Sequence, residues 1–74
     1  GISHSQHDRM RTIIDIIQRL SNESKDGNAI RGDVIREAEI EGLESGKVEE
    51  ALDRLKRQGQ IYEPVHGKYK ITEY

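Results

Sequence analysis

With 74 residues the chain forms one small domain, too short to divide its apolar surface between two cores. It has no Cys, Phe or Trp, which excludes disulfide frameworks, thiolate catalysis and cysteine-ligated zinc or iron–sulfur centres. The net charge of −2 is not that of a polycation that grips nucleic acid by neutralising phosphates.

Residues 1–7, opening on Gly1-Ile2-Ser3-His4, are expected to be a disordered tail or expression remnant, and residues 8–74 the domain. A first helix is predicted from residue 8 to about residue 20. At ~100° per residue, Met10, Ile13, Ile14, Ile17 and Leu20 fall within an arc of about 120°, with Ile16 at its edge. Asp8 is placed to cap the first amides. Residues 21–28 are polar and turn-rich and read as a loop, followed by a two-residue extended stub, Ala29-Ile30. A short second helix is predicted from Gly32 or Asp33 to Glu39 with Val34, Ile35 and Ala38 inward. Ile40 falls out of phase, and Gly42 is the natural left-handed terminator.

A third helix starts at Glu44 or Ser45, runs to Gln58 and stops at Gly59. Its apolar stripe is Val48, Ala51, Leu52 and Leu55. Beyond Gly59 the period becomes alternating: residues 60–63 and 68–72 read as strands with Ile61, Tyr69 and Ile71 inward, and Pro64-Val65-His66-Gly67 turns between them. The order helix, stub, helix, helix, hairpin predicts a mostly α, α+β winged helix-turn-helix: three helices, a two-stranded wing and a short third strand.

Few residues offer chemistry. His4 and His7 have a metal-pair spacing, but they lie in the expected tail with no carboxylate partner set by pattern, so no metal and no catalytic set is expected. Gly42-Leu43-Glu44-Ser45-Gly46-Lys47-Val48 falls short of a phosphate loop, with three residues instead of four between the glycines and Val48 where the magnesium-binding hydroxyl would stand. The third helix would present its N-terminal residues to base edges in a major groove. Those residues are Lys47, Glu49, Glu50 and Asp53, one base against three acids. Glu50 with Arg54 and Asp53 with Arg57 have the acid-first i,i+4 order, which turns the bases toward acids and away from phosphate. The wing is better disposed to a weak, salt-sensitive backbone contact, through His66, Lys68 and Lys70. Candidate DNA-contacting residues are thus Lys47, Arg54, Arg57, His66, Lys68 and Lys70. The acids of the second helix and its exit (Glu37, Glu39, Glu41, Glu44), together with Tyr62, are the candidate protein-docking surface.

Gly59-Gln60-Ile61-Tyr62-Glu63-Pro64, then Gly67-Lys68-Tyr69, preceded by Val48, Ala51-Leu52 and Leu55-Lys56-Arg57, resembles the C-terminal wing of archaeal minichromosome maintenance (MCM) replicative helicases. The resemblance covers about residues 8–72. It implies a non-catalytic regulatory appendage of a hexameric AAA+ ATPase that unwinds DNA in replication. ATP and magnesium then belong to the parent protein, and this domain has no cofactor of its own. The partners implied are the motor domain of the same protein and replication loading factors, with an isolated domain that is monomeric. No apolar run approaches the ~20 residues of a membrane span and no signal-peptide pattern opens the chain, so an intracellular protein is expected. The competing readings are a winged-helix transcription regulator that binds duplex DNA and a purely protein-binding adaptor.

Overall fold

The computed structural model describes residues 6–72, with side chains from residue 8. The elements are α1 (Gln6–Glu23), β1 (Ala29–Ile30), α2 (Arg31–Ile40), α3 (Ser45–Arg57), β2 (Ile61–Val65) and β3 (Lys68–Ile71). The strands form one antiparallel sheet in the order β1-β3-β2. This is the expected winged helix-turn-helix, with the stub completing the sheet: Ala29 pairs with Tyr69 and Ile30 with Lys68.

Helix α1 is longer than its apolar period suggested. It begins at Gln6, so Asp8 lies in the first turn, where a carboxylate suits the positive end of the helix. Its far end absorbs Ser21, Asn22 and Glu23, expected in a loop, because the helical ladder continues until the Ser24 amide donates to the Leu20 carbonyl (3.0 Å). The buried arc of α1 is centred on Ile13, Ile16 and Ile17, with Met10, Ile14 and Leu20 only partly covered. Ile16 is therefore core, since α1 packs against α2, α3, β1 and β3 together and buries a wider arc than one neighbour would require.

Helices α2 and α3 end alike. In α2 the Leu43 amide reaches the Ala38 carbonyl and the Gly42 amide the Glu39 carbonyl; in α3 the Gln60 amide reaches Leu55 and the Gly59 amide Lys56. Both are Schellman stops, with Gly42 at φ +95° and Gly59 at φ +74° in the left-handed conformation. Leu43, just past the first stop, is buried. Val48, Ala51, Leu52 and Leu55 all reach the core, as their spacing requires, and meet Ile13, Ile17, Val34, Ala38, Ile61 and Tyr69 there. Burial pushes the Tyr69 hydroxyl above its ordinary pKa.

The hairpin is tighter than expected. Pro64 and Val65 belong to β2, leaving His66-Gly67 as the turn, with Gly67 at φ +84°. Pro64 is tolerated because β2 is an edge strand and its ladder is irregular between Tyr62 and Val65. The wing is also tied down at its tip. The Arg31 amide, first in α2, donates to the Gly67 carbonyl at 2.8 Å. Because Ile30 supplies no side-chain cap to α2, the wing turn satisfies one of the amides that a helix start leaves without a partner.

Candidate functional site

At the start of α3, Glu49 and Glu50 are exposed, as is Asp53 one turn on. Among the described residues the acids pair differently from the expected i,i+4 ladder: Glu49 is held by Arg31 of α2 at 3.2 Å, and Glu50 lies 3.8 Å from Lys47. Arg31 enters because β1 delivers the start of α2 beside α3, a tertiary proximity that helix spacing does not contain. Among the described residues Asp53 and Arg57 form no ion pair, while Arg54 is exposed with a partner of its own. The acids at the start of α3 are thus each matched by a base, and Lys47 and Arg31 face carboxylates instead of open solvent.

The wing cations are arranged around two carboxylates. Lys68 Nζ donates to Asp26 Oδ2 at 2.7 Å, 42 residues away in the chain. Asp26 is itself fixed by the Ser24 hydroxyl and by the Asn28 amide (3.1 Å). On α3's side of the hairpin, Glu63 accepts from Lys56 Nζ (2.9 Å) with one oxygen and from the Gly67 amide (2.6 Å) with the other. The exposed His66 ring lies 3.7 Å from the same carboxylate. Lys68 and Lys70 share the outer face of the sheet, as alternation requires, but both lean over the loop before β1, and Lys70 Nζ lies beside Gly27. His66 alone of the expected wing contacts occupies the tip.

These bonds set the titration. Lys68, then Ser24 and Asn28, hold the Asp26 carboxyl far below the usual range; the Gly67 amide and then Lys56 lower Glu63, and Glu63 raises Lys56. A depressed folded pKa gives stabilisation that is complete above the unfolded value, near 4, and is lost as pH falls through the folded value. The melting temperature is therefore expected to hold from neutral pH down to about 4 and then to decline in acid. Added salt should shrink this change, because both pairs are exposed. Asp26→Asn and Glu63→Gln should each flatten the decline; a melting temperature that instead fell between neutral pH and the histidine range would contradict it.

The acids at the end of α2 divide. Glu37 is engaged with Arg19 of α1 (3.4 Å) and serves the packing of the two helices. Glu39, Glu41 and Glu44 are exposed, and between the first two stands Ile40, 73% exposed. Ile40 is not among the docking residues expected from the sequence, although its position out of phase with Val34 and Ala38 is the signal that places it outward. Tyr62 is exposed on the outer face of the sheet, which it shares with Ile30 and Val65.

A groove of about 470 Å³ between α1 and the α3–β2 junction is lined by Met10, Arg11, Ile14, Asp15, Gln58 and Gln60. No group of three His, Asp or Glu that could hold a metal occurs among the described residues; His4 and the side chain of His7, whose spacing the sequence shows without predicting a site, lie outside the description. No described helix is long and apolar enough to cross a membrane.

Residues 4–72 match the family described as the MCM protein C-terminal winged helix-turn-helix domain. Three uncharacterized MCM-type proteins of Methanocaldococcus jannaschii are similar to the chain. One is 35% identical over 71 residues, covering 96% of this chain and 9% of the relative. The others are 30% identical over 71 residues (96% of this chain, 10% of the relative) and 33% over 67 (90% and 9%). The chain thus spans about a tenth of the length of the curated relatives it matches.

Proposed function

The chain belongs to the family of MCM C-terminal winged helix-turn-helix domains, and from that premise we propose that it is a non-catalytic regulatory module of a hexameric, ATP-dependent DNA helicase of replication. In this reading the ATP and magnesium chemistry belongs to the motor, and the module shifts the motor's rate by docking on it. The observation that carries the reading is Ile40, 73% exposed, with Glu39 and Glu41 on either side and Glu44 at the next turn of the chain. An apolar anchor with an acidic rim is the anatomy of a protein contact, and it suits a basic partner surface with an apolar pocket. A ligand moves an equilibrium only by binding its states unequally, so the module must meet Ile40's pocket in one motor state more than in another.

A transcription regulator is disfavoured at the start of α3, where Glu49 and Glu50 engage Arg31 and Lys47, the bases that would otherwise reach DNA, and exposed Asp53 adds a further negative charge. A weak, sequence-indifferent backbone contact at the wing is compatible with the docking role and supported by the exposed His66, Arg57 and half-buried Lys70.

In the intact parent protein, deleting residues 8–74 is expected to change the ATPase rate. Ile40→Ser should reproduce most of that change, since losing one buried isoleucine weakens a contact by about tenfold. Unaltered ATPase and unwinding in both variants would end this reading.

A further inference from the structure

We propose that the wing is a backbone-phosphate site for DNA held shut by the protein's own carboxylates, with Asp26 occupying Lys68, and Glu63 occupying Lys56 and the Gly67 amide, where phosphate oxygens would otherwise sit. The inference rests on the reading of the wing as the part that meets nucleic acid, and it adds what regulates that meeting. Three kinds of phosphate ligand are gathered within one hairpin and its supports: two lysine ammonium groups, a glycine amide in a tight turn, and an imidazole at the tip. These are the groups that protein–DNA complexes use on phosphates. Each of the first two kinds is engaged by a carboxylate at 2.6–2.9 Å, the distance of a charge-assisted bond.

The two masks differ in kind. Glu63 lies within the hairpin itself and bridges it to α3. Asp26 comes from the loop before β1 and is presented by Ser24 and the Asn28 amide, so its position is built and not incidental. Both pairs are solvent-accessible, which leaves the ammonium groups within reach of a competing anion. A phosphate must displace a carboxylate to enter, and the net gain per lysine is then small. Removing the carboxylate's charge while keeping its hydrogen-bond acceptor should open the site without dismantling the loop.

The test is fluorescence anisotropy of the 74-residue chain with a labelled duplex of arbitrary sequence, at low and at physiological salt. Asp26→Asn is expected to bind about fivefold to tenfold tighter at low salt, with a salt dependence steeper by ~0.9 for the phosphate gained. Glu63→Gln should act in the same direction. Asp15→Asn makes the same change in net charge on an exposed face of α1 and should shift binding by less than about twofold. Lys68→Gln should leave the wild-type affinity unchanged and erase the gain of Asp26→Asn, whereas Lys70→Gln should weaken the wild type.

A gain in Asp26→Asn no larger than that in Asp15→Asn overturns the proposal. If melting shows that Asp26→Asn or Glu63→Gln is not folded, the two lysine variants on the wild-type background decide alone: Lys68→Gln weakening binding as much as Lys70→Gln overturns it. These outcomes are separate from the ATPase measurements on the parent protein, so the docking role and the masked wing fail independently.

Discussion

Leu55→Ala is expected to destabilise the domain by about 2–5 kcal/mol, the range for truncating a large core side chain. Leu55 is fully buried on α3, whose neighbours α1, α2 and β2 leave it no route to solvent. A core this small supplies only about 3–5 kcal/mol of net stability, so the variant should populate the unfolded state under conditions where the wild type is folded. Urea unfolding checks it: the midpoint should fall sharply with the slope unchanged. Ile40→Ala, on an exposed position, should stay within about 0.5 kcal/mol of wild type. A Leu55→Ala variant as stable as Ile40→Ala would mean that α3 does not pack as described.

The second large effect is at the exit of α3. Gly59 holds φ +74°, and its amide and that of Gln60 close the helix. A β-branched side chain in that conformation costs roughly 1–2 kcal/mol or more, so Gly59→Val should lose at least that much. Its damage extends beyond the helix end, because the left-handed turn aims β2 back along α3 and places Ile61 in the core and Glu63 beside Lys56. Thermal melting should show the loss, and the amide resonance of Gly67 should shift as its bond to Glu63 is disturbed. Full stability with an unshifted Gly67 would refute the role given to this glycine.

Sequence reading recovered what short-range physics dictates. The stripe of α3, the two glycine stops and the alternation of β3 are consequences of helix and strand periods, and the structure has all of them. The match extends to the two-residue stub, whose pairing with β3 follows from the element order. The last turn of α1 was hidden because Ser21, Asn22 and Glu23 carry no apolar period, and the helix continues through them on backbone bonds. Pro64 reads as a turn residue wherever a strand edge and a ladder irregularity are not yet known.

The candidate site was legible in its residues and not in its partners. Lys68 and Asp26 meet across 42 positions, and Arg31 meets Glu49 only once the sheet has formed. Helix spacing offers Arg57 an acid in Asp53, and among the described residues that pair does not form. Such pairings depend on which loop lies over which strand, which neither composition nor period encodes.

The bond from the Arg31 amide to the Gly67 carbonyl has a mechanical corollary. A lever hinged at its root absorbs load, whereas one welded to a beam transmits it. Here the hairpin is fastened to the head of α2, and nine residues on, about 13.5 Å along that rod, stands Ile40. A displacement of the turn therefore moves the head of α2 with it, and the helix carries Ile40 as part of the same rigid rod.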